Sequence, residues 1–233
     1  MTLEGRTALV TGAGQGVGVG IARSLLVAGA DVIVNDLFPD RAEAMANELG
    51  ARALPFDVTD HAAVVAAFEA AGPVDILVNN AGIPAGGFPQ VDFKDSDPEL
   101  WPRFIDLGLY GVMNCTRVAL PGMCDRGWGR VITIASEAGR MGMPIRVSMY
   151  GAAKAGAIGL MKHVAQEVGP YGVTCNSLAL GGMEGLPGNG SHNPVPRHGT
   201  GHDVGEFCAY LASDGAEWIT GQTIGVNGGS ICI

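Results

Sequence analysis

The feature that most constrains this chain is a repeated alternation of short apolar runs with helix-like segments. The runs lie at 7–10, 31–35, 51–56, 75–78, 130–135, 173–178 and 222–226. They are near-continuous in apolar residues, so both faces of each strand should be buried. Strands of that kind form a parallel sheet with helices on both sides. Helix-like segments fill the intervals at 40–49, 60–71, 149–168 and 204–212, and another runs from a glycine-rich turn to Ala28. A long helix should start at Asp97 and Pro98, since Asp caps a helix and Pro is tolerated at its first position. The pattern predicts an α/β fold: one doubly wound domain over residues 1–233, with a seven-stranded parallel sheet flanked by helices.

Composition narrows the function classes. With 47% hydrophobic residues among 233, a disordered chain is excluded and a core needs no staples. The formal net charge of −9, the pI of about 4.9 and the lack of any Lys/Arg cluster argue against a nucleic-acid partner. No apolar run is long enough to span a bilayer, and residues 1–6 lack an apolar signal core. The expectation is therefore a cytoplasmic protein with no membrane partner, in which the Asn189-Gly190-Ser191 glycosylation pattern is chance. The five cysteines show no metal spacing and read as reduced thiols; no metal is expected. Residues 181–201 are rich in Gly, Pro, Asn and His and read as a mobile surface loop.

Residues 11–18, T-G-A-G-Q-G-V-G, lie between the first strand and the first helix. Gly12, Gly16 and Gly18 would let a pyrophosphate approach the helix N-terminus, where free N–H groups and the helix dipole favour an anion. Gln15 and Val17 complete the turn. Asp36 closes the second strand, where a carboxylate accepts hydrogen bonds from ribose hydroxyls and repels a 2′-phosphate. No Arg or Lys stands in the turn or directly after Asp36, so the expected cofactor is NAD. The alternative is that Asp36 only caps a turn.

Further motifs follow. Asn79-Asn80-Ala81-Gly82 succeeds the fourth strand and Ser136 the fifth; then come Tyr150-Gly-Ala-Ala-Lys154, Asn176 and Val226-Asn227-Gly228-Gly229. With the glycine turn, these residues make the chain resemble the short-chain dehydrogenase/reductase family along nearly its whole length. The likeness is greatest to members acting on 3-oxoacyl groups, steroids, polyols and other secondary alcohols. It implies a Rossmann-type sheet, hydride transfer at nicotinamide C4, a small alcohol or ketone substrate, and often a homotetramer; a homo-oligomer, dimer or tetramer, is expected. It places Asp57 and Val58 at the adenine, Asn80, Ala81 and Gly82 along the adenosine side, and Gly181 and Met183 near the nicotinamide.

Ser136, Tyr150 and Lys154 are the expected catalytic residues. Oxidising an alcohol removes its hydroxyl proton as hydride leaves carbon, and a Tyr hydroxyl takes that proton if its pKa falls toward neutrality. A nearby cation favours phenolate, and Lys154 is four residues from Tyr150 on one helix face. The resemblance also has Lys154 bind the nicotinamide ribose and Ser136 hold the substrate oxygen. Tyr and Lys at that spacing also occur on ordinary solvated helix faces.

Three departures stand out. Gly108 holds the place of the family's Asn, which positions a water in a proton relay; either water fills the vacated space or the relay is impaired. Leu180 replaces a common Pro, and Gly185 stands near the usual Thr. These changes keep open a dinucleotide-binding protein with little turnover, a sensor or oligomer partner. Met141, Met143, Met149 and Met183 suit an adaptable pocket or ordinary packing. Glu137 and Arg146 face either a polar substrate or solvent, and His192, His198 and His202 are expected to be solvated.

Overall fold

The computed structural model describes residues 2–84, 86, 87, 89–185 and 190–232. Seven parallel strands form one sheet: β1 (Thr7–Val10), β2 (Asp31–Val34), β3 (Arg52–Ala53), β4 (Ile76–Asn79), β5 (Gly129–Ser136), β6 (Val173–Leu180) and β7 (Thr223–Val226). Their spatial order is β3-β2-β1-β4-β5-β6-β7. The chain winds outward from β1 to β3, returns to the other side of β1 and winds outward again. The crevice at the carboxyl ends of β1 and β4 is thus the switch point where α/β sheets bind ligands.

Successive strand residues feed two cores. Ala8 and Val10 point to the side covered by α1 (Val17–Val27), α2 (Pro39–Leu49) and α7 (Gly201–Ala212). Leu9 and Ile33 point to the side covered by α3 (His61–Ala71), α5 (Gly111–Asp125) and α6 (Ser148–Val168). Burial on both faces is what the continuous apolar runs require. On the first side α1 and α7 meet backbone to backbone. A Cβ on Gly20 would fall on the Gly201 backbone, and one on Gly205 would fall on the Gly20 carbonyl oxygen.

Two elements differ from the sequence expectation. The third strand ends at Ala53, not at residue 56. Beyond it the Asn35 amide Nδ2 donates to the carbonyls of Leu54 (3.2 Å) and Phe56 (3.0 Å), so a side chain takes over from the strand ladder. The long helix is capped at Asp97, whose Oδ1 accepts from the Glu99 N–H at 2.9 Å, but it is not one helix. A 3₁₀ turn (Pro98–Leu100), α4 (Trp101–Ile105) and a π turn (Asp106–Tyr110) precede α5.

The described part of the 181–201 segment makes several contacts with the rest of the fold. Val195 N–H donates to the Gly228 carbonyl (2.9 Å), Gly199 N–H to that of Gly182 (3.0 Å), and Arg197 makes a two-pronged pair with Asp203 at 2.7 and 2.8 Å. Residues 186–189, including Asn189 of the glycosylation pattern, lie outside the described residues. No helix among the described residues is long and apolar enough to cross a membrane.

Candidate active site

The glycine turn leaves β1 and meets α1 at Gly16, whose φ of 61° suits glycine. No side chain caps α1, so its first N–H groups face outward beside exposed Gln15 and Gly16, with Val17 half-buried. Gly18 is buried: a Cβ there would stand 2.6 Å from the Gly12 carbonyl oxygen and 2.7 Å from Asn80 Nδ2. Asn80 Nδ2 donates to the carbonyls of Thr11 (2.8 Å) and Gly12 (3.0 Å), while Thr11 Oγ1 accepts from the N–H groups of Asn80 and Ala81. Asn80 and Ala81 therefore brace the turn from β4. Asn79 braces deeper, donating to Thr116 and Thr133 hydroxyls.

Asp36 is 5% exposed. Its Oδ2 accepts from Gly14 N–H (3.2 Å) and its Oδ1 from Phe38 N–H (3.1 Å). The carboxylate thus fixes the glycine turn and retains lone pairs for hydroxyl donors. Asp57 Oδ1 accepts from the Thr59 N–H and hydroxyl, both at 2.8 Å, and Val58 is buried with its carbonyl held by Asn114. Sequence reasoning passed over Asn35. It is 1% exposed and its Oδ1 accepts from Gly12 N–H at 3.3 Å, so it shapes the cradle from below. A polar residue ending an apolar strand is the signal that could have found it.

Ser136 ends β5, and Tyr150 and Lys154 lie in the first two turns of α6. The structure brings the three together. The Ser136 and Tyr150 side chains share a hydrogen bond that favours the phenolate. Lys154 Nζ stands 5.7 Å from the Tyr150 ring centroid and donates to the Ile134 carbonyl at 2.7 Å. Lys154 is 3% exposed, and burial pushes its ammonium down to about 8. Gly82 makes room for it, because a Cβ at that position would fall on Nζ.

One expectation is corrected. Burial outweighs the Ser136 hydrogen bond and raises the Tyr150 pKa above its ordinary value, instead of a lysine lowering it. The same low-dielectric surroundings that depress the lysine ammonium penalise the phenolate.

The departures also take physical form. Gly108 is the buried centre of the π turn, and a Cβ on it would stand 2.8 Å from Ala153 Cβ. An Asn side chain would therefore begin in contact with Ala153 of α6, which would have to shift to admit it. Gly185 has a φ of 85°, and among the described residues nothing lies within 4 Å of where its Cβ would stand. Gly181 N–H donates to the Val226 carbonyl at 3.1 Å. Met183 is 8% exposed, with its side chain in the α1–α7 core, so only its backbone is presented outward.

Glu137 does not face solvent. It is fully buried, paired with Arg140 at 3.1 Å and accepting from Asn227 Nδ2 at 2.7 Å. Arg146, at an unusual φ of 56°, is exposed and pairs with Asp92 at 3.0 Å. It lies with Tyr150, Val91, Phe93 and Trp101 along a small apolar cleft.

Three comparisons bear on this geometry. An acetoacetyl-CoA reductase of Rhizobium meliloti (strain 1021) is 41% identical over 96% of this chain and 98% of its own. A 3-oxoacyl-(acyl-carrier-protein) reductase of Escherichia coli (strain K12) is 38% identical over 98% of both. The crystal structure of a 3-oxoacyl-(acyl-carrier protein) reductase with bound NAD from Brucella melitensis superposes with a TM-score of 0.91 at 33% identity, covering 98% of this chain and 92% of that one. Residues 6–191 match the short chain dehydrogenase family as a whole. The sheet order, the braced glycine turn and the Ser136–Tyr150–Lys154 cluster fit that match, and the chain belongs to the short-chain dehydrogenase/reductase family.

Proposed function

We propose that this protein moves hydride between NAD(H) and a secondary alcohol or ketone, with Tyr150 exchanging the hydroxyl proton. The observation that carries the reading is the Ser136–Tyr150 hydrogen bond with the Lys154 ammonium beside the ring. The glycine cradle suits a dinucleotide: among the described residues nothing lies within 4 Å of where a Cβ on Gly16 would stand, and no side chain caps the α1 N-terminus. A bound nicotinamide supplies the hydride acceptor or donor at its C4. Around it, Gly12, Gln15, Gly16, Val17 and Gly18 would hold the pyrophosphate, and Asp36 the adenosine ribose. Asp57 and Val58 would flank the adenine. Asn80, Ala81 and Gly82 would line the adenosine side, and Gly181 and Met183 the nicotinamide. Ser136 would hold the substrate oxygen against Tyr150, and Lys154 would keep the local charge positive as the phenol gives up or takes its proton.

NAD over NADP is supported by the Asp36 carboxylate, by Gln15 in the turn and by Leu37 after the acid. Arg41, five residues on, lays its guanidinium over the Phe38 ring at 4.4 Å. We read residues 1–233 as one domain of a cytoplasmic homodimer or homotetramer. The free sheet edge β7 and the 96%-exposed Trp218 support self-association.

The test is a panel of ketones and alcohols, including acetoacetyl-CoA, with NADH, NADPH and their oxidised forms, followed as absorbance of reduced cofactor. Turnover lost in Tyr150→Phe and a preference for NADH are expected. Turnover that survives the substitution overturns the mechanism, and tighter NADPH binding overturns the Asp36 argument. A second reading, a dinucleotide-binding protein with little turnover, is favoured by Gly108 in place of an Asn amide and by the raised Tyr150 pKa. It predicts cofactor binding with no turnover across the panel.

A further inference from the structure

Glu137 is a buried carboxylate that the reaction proposed above leaves unused. It is the residue immediately after Ser136 and opens the single 3₁₀ turn Glu137–Gly139. Its main chain shapes that turn: its carbonyl accepts from the N–H groups of Arg140 (2.9 Å) and Met141 (3.1 Å). Its side chain points the other way, into the sheet edge. Oε1 and Oε2 accept from Arg140 Nη1 at 3.1 and 3.3 Å, and Oε1 accepts from Asn227 Nδ2 at 2.7 Å. A buried charge of this kind is costly unless it is paired and hydrogen-bonded, and here it is both.

Asn227 carries the connection onward. Its Nδ2 also donates to the Ile231 carbonyl at 2.9 Å, and its Oδ1 accepts from Gly229 N–H at 2.9 Å. The turn after β7 is thereby folded around one amide. The 190–200 segment leans on that turn: Val195 N–H donates to the Gly228 carbonyl, and a Cβ on Gly229 would stand 3.0 Å from the Pro194 ring. One unbroken chain of contacts thus runs from the strand end that carries Ser136, through Glu137 and Asn227, to the loop after β6.

We propose that Glu137, held by Arg140 and Asn227, is a positioning residue that sets Ser136 and the 190–200 loop in one fixed relation. It touches neither substrate nor cofactor and acts through the residues on either side. The part concerning substrate rests on the reaction proposed above, whereas the mechanical part stands on these contacts alone.

Two measurements on the full chain separate those parts. The first is amide hydrogen exchange of Glu137→Gln, which keeps the shape and removes the charge. Exchange in 193–199 and 226–231 should rise by about tenfold or more, the scale of one lost buried hydrogen bond, with 11–18 and 31–38 unchanged. Asn227→Ser cuts the same link from its half-buried end; because that amide also holds Gly229 and Ile231, a rise in exchange at 136–141 decides the matter if Glu137→Gln fails to fold, and no rise there overturns the proposal. Unchanged exchange, or a rise spread evenly over the chain, overturns the proposal. The second measurement uses acetoacetyl-CoA and NADH. If the chain reduces that probe, KM for it should rise about tenfold in Glu137→Gln while KM for NADH stays within about twofold. A fall in kcat alone that tracks the folded fraction would mark Glu137 as merely structural and overturn the positioning role. No reduction of the probe by the parent chain removes that substrate from the proposed function, and the exchange result then decides the inference by itself.

Discussion

Lys154→Met tests whether the candidate site is as dry as its geometry requires. In the folded chain the ammonium is 3% exposed and its pKa is lowered from 10.5 to about 8 by desolvation. That difference corresponds to about 3 kcal/mol between the two protonation states. The sign follows from proton binding. Between pH 8 and 10.5 the unfolded chain holds the lysine proton more tightly than the folded chain, so stability rises with pH across that window. Below it the folded protein carries the full penalty, and above it none. The wild type should therefore gain about 2.5 kcal/mol on Lys154→Met between pH 7 and pH 10. The wild type alone would mislead, because burial pushes the Cys115 and Cys175 thiols up to about 12 and raises that of Cys208 as well. Those groups lower stability as pH rises above the ordinary thiol range, and they are common to both proteins. The absolute change at one pH is less informative, since Lys154→Met also strips the Ile134 carbonyl of its 2.7 Å donor. Urea unfolding of both proteins without cofactor, followed by tryptophan fluorescence at several pH values, reads the difference directly. A difference that stays flat within about 0.5 kcal/mol would refute the desolvation argument and the site picture built on it.

Other predictions follow from single contacts. Because burial raises the Tyr150 pKa, kcat/KM for alcohol oxidation should still be climbing with pH at about pH 9, where free-enzyme groups govern that parameter; a plateau by about pH 7 would show the tyrosine ionising far more easily. Gly108→Asn, by crowding Ala153, should lower stability by about 1–3 kcal/mol, and adding Ala153→Gly should recover most of that in thermal unfolding. A single variant as stable as its parent would remove the crowding argument. Gly82→Ala should displace the Lys154 ammonium and cut turnover about 100-fold with the fold intact, checked by initial rates beside circular dichroism. Asp36→Ala should erode preference for NADH over NADPH by about tenfold in fluorescence titrations, and an unchanged ratio would place the selectivity elsewhere.

The inner strands were legible because burial on both faces leaves a run of apolar residues such as Ala8 to Val10, whereas the edge strands β3 and β7 are only partly buried. The third strand was overread because its end depends on the Asn35 amide, which belongs to a different strand. The π turn at Asp106–Tyr110 was illegible for a related reason: its centre, Gly108, answers to Ala153 on another helix. At the site, the grouping of Ser136, Tyr150 and Lys154 was expected from the family resemblance, because Tyr and Lys at that spacing occur on many ordinary helices. The Tyr150 shift was not, since solvent exclusion is a property of the packed site and no spacing encodes it. Glu137 shows the same limit. A charged residue following a strand ordinarily meets water, and its partner Asn227 is brought to it across 90 positions by the sheet order.

At its tightest point the seam between α1 and α7 is main chain on main chain, with Gly20 and Gly201 in direct opposition. A contact between side chains can drift over time, one substitution compensating another. This one offers no side chain to exchange, so neither position can vary unless the helices separate. Because Gly16 caps α1 and Gly201 starts α7, the glycine turn and the end of the 190–200 loop meet at that contact. If the proposed function holds, variation that tunes the substrate should then accumulate inside the loop and leave the glycine turn unchanged.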